Sequence, residues 1–356
     1  MHNCTDDILA NHDERVTLPQ ADRTTMKERR DANRDRLKKG LDAKAKPAPR
    51  EFKSQGSYAM KTMVQHQTKA YDIDDGVYFD KELLVGDRGA EMTGLQARQM
   101  VRNAIDDDSF NTAPEVRKNC VRVYYKAGYH VDLPVYRRVT TKDVFGNETY
   151  HHELASSDWK RSDARDVTDW FEKENNRQSP DTENGRQLRR TVRQIKKYAR
   201  SRDSWRGQIL SGFGITKLAA ECFLPDASRE DKALCDTMKA IRDRLAINLV
   251  VAHPVTPGDT ITNGSDDAKA RFLRDRLTEA LDTLAPLFES DCTREKALKC
   301  WDKVFNTTFF TDRLEKQIES NVEIAVAPTV LTSGLLSDAG VAAQSAVRKQ
   351  GGGRYA

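Results

Sequence analysis

The sequence lacks any apolar run approaching the ~18 residues a membrane span requires, so a bilayer-crossing role is not expected. It lacks an apolar stretch in residues 1–15, where charges stand instead, so export through a signal peptide is not expected either. Among six cysteines there is no CxxC pair, and no histidine stands at finger spacing beside one. A structural zinc site is therefore not expected, and the cysteines read as free cytosolic thiols. The one histidine pair, His151–His152, reads as a solvated loop rather than a metal site, because adjacent side chains on an extended segment point to opposite faces. No internal repeat is present. A dominant charge is missing too: 59 basic against 55 acidic residues leave only +4, which by itself implies no polyanionic partner. What is present is a polar chain of 356 residues, 32% charged and 38% hydrophobic, with mean hydropathy −0.74. That suits two domains or one bilobed molecule and is not polar enough for disorder.

The pattern along the chain changes once. Residues 25–39 carry opposite charges at three- and four-residue spacing without Gly or Pro, predicting a long wet helix ended by Gly40 and the proline stretch 46–49. Residues 71–79 alternate as a strand does, 93–105 read as a helix, and 120–125 with 129–136 read as a strand pair joined at Ala127–Gly128. Beyond Trp159 helical periodicity dominates, over 166–174, 186–202, 214–223, 229–249, 266–288, 294–305 and 312–319. From residue 325 the chain is small-residue-rich and ends Gly351-Gly-Gly353-Arg-Tyr-Ala356. The expected domains are 1–50 (N-terminal helix), 51–165 (strand-rich lobe), 166–324 (helical lobe) and 325–356 (flexible tail).

Three acids carry the chemistry. Asp72 and Asp74 share one face of a strand, about 6–7 Å apart along it, while Ile73 and Asp75 face the other way. Like charges so close stay ionised together most readily around a cation, and hard oxygens with open positions suit Mg²⁺. Asp132 lies in a second apolar strand, where a lone acid is costly unless paired or metal-bound. Upstream, Gly56-Ser57 opens a helix whose backbone N–H groups and hydroxyl would face phosphate. Together these describe phosphoryl or nucleotidyl transfer with two metal ions, one activating a hydroxyl and one neutralising a leaving pyrophosphate.

A second cluster is basic. Residues 186–206 hold nine cations (Arg186, Arg189, Arg190, Arg193, Lys196, Lys197, Arg200, Arg202, Arg206) against one acid, Asp203, a local charge of +8. Leu188, Val192, Ile195 and Ala199 recur at helical spacing, so one face is expected to pack and the other to be cationic.

The run Gln55-Gly-Ser-Tyr58, then Tyr71-Asp-Ile-Asp-Asp-Gly-Val-Tyr78, then His130-Val-Asp-Leu-Pro-Val-Tyr136, resembles the cGAS/DncV-like nucleotidyltransferases, bacterial cyclic-dinucleotide synthases of anti-phage defence. The resemblance covers most of the chain. It implies an α+β, bilobed polymerase-beta-like core with a mixed sheet and a C-terminal helical lobe, as in oligoadenylate synthases. It implies Mg²⁺, two ions with Mn²⁺ as an alternative, on Asp72, Asp74 and Asp132. It also implies donor-triphosphate contacts from Gln55, Gly56 and Ser57, and an acceptor contact from Arg122. Ser162 resembles a base-pocket serine, although Ala164 stands where many members have Pro. A lysine of the basic helix, Lys196 or Lys197, and Ser211 after it would reach the triphosphate, and Asp259 would read a base. The terminal Ala356 would be joined to targets by a ubiquitin-like conjugation enzyme.

The expected activity is formation of a cyclic dinucleotide, cyclic GMP-AMP or another purine pair, from ATP and GTP or other NTPs. The product would signal to a cyclic-nucleotide-activated effector in the cytoplasm. Two rivals stand beside it: a transferase making linear oligonucleotides or modifying RNA or a small molecule, and a catalytically silent nucleic-acid sensor working through the basic helix. The acid triad makes nucleic acid the second choice as partner.

Overall fold

The computed structural model describes residues 1–66, 71–86, 89–107, 109–125 and 128–326, without the side chains of 320–326. Its elements in chain order begin with α1 (Thr5–Asn11), α2 (Gln20–Ala43), β1 (Glu51–Gln55), α3 (Gly56–Ala59), β2 (Asp72–Asp80) and α4 (Gly94–Ile105). The strands β3 (Glu115–Val116), β4 (Val121–Tyr124), β5 (His130–Leu133), β6 (Val135–Lys142), β7 (Glu148–Ala155) and β8 (Trp159–Arg161) follow. Seven helices complete the described chain: α5 (Ala164–Gln178), α6 (Gln187–Ala199), α7 (Gly212–Cys222), α8 (Glu230–Ile247), α9 (Ala268–Leu284), α10 (Arg294–Phe305) and α11 (Phe309–Val326). Residues Met1–Leu314 form one compact unit. Of the second unit, Glu315–Ala356, only the helical stretch to Val326 is described, and the expected tail beyond it lies outside the described residues.

Alternation along β2 makes it the centre of an eight-stranded mixed sheet, ordered β3-β4-β5-β2-β6-β7-β8 with β1 on β2. β1 runs antiparallel along one edge of β2, while β5 and β6 run parallel along the other. Pro134 has no N–H to give the ladder, so it separates β5 from β6 without turning the chain away. Its carbonyl still accepts from Val77, at 2.8 Å. The back of β2 carries Ile73, Val77 and Phe79, all buried against Leu37 and Leu41 of α2 and Val101 of α4. Asp75, fully buried on that face, is held by Arg34 of α2 at 2.6–2.7 Å and by Ser54 Oγ at 3.1 Å. The long N-terminal helix is thereby pinned behind the strand that bears Asp72 and Asp74. A separate apolar core unites α5 to α10 around Trp301, Leu218 and Ile241.

The expected α+β architecture is the one observed, with free cysteines as expected and with three local corrections. Gly40 does not end α2; it lies inside it, where an added Cβ would run into the Ala104 carbonyl of α4. It is a contact glycine that lets two helices approach. His151 and His152 lie on β7 rather than in a loop, and His152 is buried, 2.9 Å from Asp163. All six cysteines are free. Helix α6 is buried on nearly every side, including Arg189, Arg190, Arg193 and Lys196, instead of presenting one wet cationic face.

Candidate active site

Strand register assembles the acids. In the parallel β2–β5 pair Asp74 stands beside Asp132 and Asp72 beside His130. On the far side of β5, Arg122 of β4 stands opposite Asp132. Its guanidinium makes a fork on that carboxylate, Nε and Nη2 each at 2.7 Å. Asp72, with a half-exposed side chain, pairs with His130 Nε2. Asp74 has no ion-pair partner of its own among the described residues. Burial, then the neighbouring Asp132 and Asp72, push its carboxyl up to about 6, against the opposing charges of Arg122 and His130.

The turn that faces these acids is sterically exact at one residue. Gly56 has φ +61°, and a Cβ there would enter the Asp74 carboxylate. Only glycine lets the backbone of α3 come this close. Ser57 follows it, partly exposed, at the second position of α3. Gln55 pairs in register with Asp74, but its side chain is turned into the core, 2% exposed. There it donates to Tyr78 Oη at 2.8 Å and accepts from Tyr136 Oη at 3.2 Å. It fills the space over Gly76, so a nucleotide can meet only its backbone.

The helical-lobe residues are arranged differently from expectation. Lys196 is 4% exposed, donates to Thr62 O at 2.8 Å, and is pushed down to about 7 by burial and by Arg200 and Arg193. Lys197, partly exposed, donates to Gln65 O at 3.3 Å. Ser211 caps α7, its hydroxyl accepting from Gly214 N at 3.1 Å. Asp259 forms an ion pair with Lys160 of β8 at 2.7 Å, tying the 250–260 turn to the sheet. Ser162 follows β8, its N–H given to His152 O at 3.1 Å. Ala356 lies outside the described residues, as does Ala127.

Three mutually repelling carboxylates are a hard-oxygen donor set, and that chemistry fits a divalent cation such as Mg²⁺. Arg122 stands on Asp132 as a counter-charge, and the His130 ring lies against Asp72. Among the described residues no three ligating side chains yet surround one point. Sequence reasoning missed His130, although its place one strand period before Asp132 put it on the same face.

A strand pair bearing three aligned acids beside a glycine turn is the arrangement of a nucleotidyltransferase. Residues 50–136 match the model described as the nucleotidyltransferase domain of the cyclic GMP-AMP synthase DncV-like family. That stretch is similar to a DncV-like nucleotidyltransferase domain, and the fold of the chain is that of several solved structures. Escherichia coli DncV bound to 3′-deoxy GTP is 16% identical with TM-score 0.63, over 86% of this chain and 94% of that one. Vibrio cholerae DncV, a cyclic AMP-GMP synthase in complex with the linear intermediate pppA(3′,5′)pG, is 18% identical with TM-score 0.66, over 86% and 96%. E. coli MS115-1 CdnC with ATP is 17% identical with TM-score 0.62, over 86% and 98%. Among the described residues no helix is long and apolar enough to cross a membrane.

Proposed function

We propose that the protein joins two purine nucleoside triphosphates into a cyclic dinucleotide, a second messenger in anti-phage defence, with Mg²⁺ at Asp72, Asp74 and Asp132. The observation that carries this reading is the alignment of Asp74 with Asp132 across a parallel strand pair, against a glycine at φ +61° whose added Cβ would meet the Asp74 carboxylate. The solved relatives holding NTPs and a linear intermediate support the same chemistry.

Bound Mg²⁺ would lower the pKa of the attacking ribose hydroxyl and offset charge on the triphosphate. Asp72 and Asp74 hold the donor side and Asp132 completes the site. The backbone of Gly56 and the Ser57 hydroxyl cradle the donor phosphates, and Lys197 supplies a point charge from the helical lobe. The acceptor oxygen bonds to the α-phosphorus and the bond to the bridging oxygen breaks. Pyrophosphate leaves with that electron pair, while the hydroxyl proton passes to the carboxylate cluster and on to water. Arg122, released from Asp132, orients the acceptor, and Ser162 and Asp259 are the residues that would contact a base. A second transfer closes the ring. On this reading a cyclic-nucleotide-activated effector responds to the product in the cytoplasm, and Ala356 is the residue a ubiquitin-like enzyme would conjugate.

The test is incubation with α-labelled ATP and GTP and Mg²⁺, followed by phosphatase. A ring has no terminal phosphate, so its label survives. A linear dinucleotide loses the label of its 5′ phosphates and keeps only that of its internal phosphodiester, and label released entirely as inorganic phosphate means that no phosphodiester formed and leaves the catalytic reading without support.

A further inference from the structure

Strand β1 is held by the sheet along one side, with β2 as its only strand partner among the described residues. Its last residue, Gln55, leads directly into the Gly56–Ser57 turn. Whatever holds the two ends of β1 therefore sets where that turn stands against Asp74. The register puts Glu51 beside Tyr78 and Gln55 beside Asp74, all on one face of the sheet. Tyr136 stands beside Tyr78 on the same face, with the two rings stacked at 4.6 Å.

The start of α5 grips β1 at both ends. At the beginning of the strand, Arg165 Nη1 donates to Glu51 Oε1 at 2.7 Å. At its end a one-way chain of donors runs to the same helix. Tyr136 Oη donates to Gln55 Oε1 at 3.2 Å, Gln55 Nε2 to Tyr78 Oη at 2.8 Å, and Tyr78 Oη to Asp163 Oδ1 at 3.3 Å. Asp163 is the N-cap of α5, accepting from Arg165 N at 3.0 Å, and Arg165 Nη2 returns to its Oδ2 at 2.7 Å. Burial pushes the Asp163 carboxyl up, but the hydrogen bonds from His152 and Arg165 outweigh it and hold the group below the ordinary carboxylate range. Gln55, Tyr78, Tyr136 and His152 are each 4% exposed or less, so a link lost here leaves a desolvated polar group. Helix α5 continues into the helical-lobe core through Phe171, fully buried in the cluster that holds Leu188 and Leu218.

We propose that Tyr78, Asp163 and Arg165 are positioning residues for the donor-phosphate turn. The start of α5 clamps β1 at Glu51 and Gln55 and thereby fixes Gly56 and Ser57 against the acids. Tyr78 stands four residues beyond Asp74, about 13 Å along the strand, so it acts on the turn through Gln55 and not by touching a phosphate there. The same clamp explains why the Gln55 side chain is turned into the core instead of toward a nucleotide. This assignment rests on the nucleotidyltransferase reading above and adds the residues that hold its phosphate turn in place.

The experiment is steady-state incorporation of labelled NTP with Mg²⁺, at a temperature where every variant is folded. It compares the wild type with Tyr78→Phe, Ser57→Ala, their double variant, Arg165→Gln and Arg165→Lys. Tyr78→Phe keeps the ring on Tyr136 and removes only the hydroxyl. It is expected to lower kcat/KM about ten- to a hundredfold, the scale of a misplacement of about 1 Å. Arg165→Gln should act in the same direction, and Arg165→Lys, which keeps a cation for Glu51, should recover part of the loss. Because Tyr78 acts through the turn, the double variant should lose less than the product of the two single losses. A Tyr78→Phe variant with wild-type kcat/KM and only a lowered melting temperature, or losses that multiply independently, overturns the assignment while the transferase reading stands. Should Tyr78→Phe not fold, Arg165→Gln, alone and combined with Ser57→Ala, decides by the same two criteria. A wild type that incorporates no nucleotide overturns the transferase reading and this assignment with it.

Discussion

Two charged regions stand out in this molecule, and the fold treats them in opposite ways. The acids of β2 and β5 are brought together with too little compensation: three carboxylates share one arginine and one histidine, and Asp74 is driven up to about 6. The cations of α6 are brought in with almost every charge answered. Arg190 alone is held by Glu230 at 2.9 Å and Asp181 at 2.6 Å. The count of charges in sequence is +8 for the basic helix, yet a charge is available to a substrate only where the protein has left it unmatched.

The sharpest way to break the comparison is to neutralise the acids. Asp72→Asn or Asp74→Asn should lower nucleotide incorporation by at least about a thousandfold, the loss expected when a metal-held transition-state charge is uncompensated. Stability should move the other way. The Asp74 carboxyl is raised in the folded state from 3.8 to about 6, so the fold binds its proton more tightly than the unfolded chain does. Stability is therefore lost as pH rises from about 4 to 6, and the penalty is fully present at neutral pH. Asp74→Asn should then be ~1–3 kcal/mol more stable than wild type at pH 7 by denaturant titration, with the difference vanishing near pH 4. Added Mg²⁺ should stabilise the wild type and not the variant. A variant less stable at pH 7 would mean that Asp74 is a structural acid, and the contrast between the regions would be gone.

On the basic side the largest effect is structural. Arg190→Met leaves Glu230, 5% exposed, without its partner, and should cost about 3–5 kcal/mol in denaturant unfolding. The double substitution with Glu230→Leu should recover most of it, since two apolar groups replace a desolvated pair. No loss in the single variant would show that α6 carries its charges as a wet face after all.

The sequence made the acids legible because their geometry is local. Period-2 alternation decides which of Asp72, Ile73, Asp74 and Asp75 share a face, and no distant partner is needed to say so. Gly56 was legible for the same reason, as a residue just before a short helix. Gly40, Gln55 and Lys196 were misread because each is decided by something far away in the chain: the Ala104 carbonyl, the Tyr78 and Tyr136 hydroxyls, and the Thr62 carbonyl. Periodicity places α6 as a helix and marks its apolar stripe. It cannot say that the loop before β2 will wrap the opposite side and bury the cations there. His151 and His152 follow suit, since the strand beneath them forms only by pairing with β6.

Lys196 gives the smallest expected effect and the finest test of the contrast. It is a buried base, pushed down to about 7, so the folded state binds its proton less tightly than the unfolded chain does. The wild type therefore gains stability as pH rises from about 7 toward 10.5 and carries its full penalty below 7. Lys196→Met removes that penalty and loses the hydrogen bonds to Thr62 O and Oγ1. The two should nearly cancel, leaving stability at pH 7 within about 1 kcal/mol of wild type. The variant should compare better with wild type at pH 6 than at pH 9. Incorporation of labelled NTP should fall less than about tenfold, because an ammonium already held by a loop carbonyl has little left for phosphate. A hundredfold loss in a variant that melts normally would show that Lys196 leaves Thr62 to meet the triphosphate. The Lys196 contact with Thr62 would then be a resting state of a catalytic cation rather than its final use.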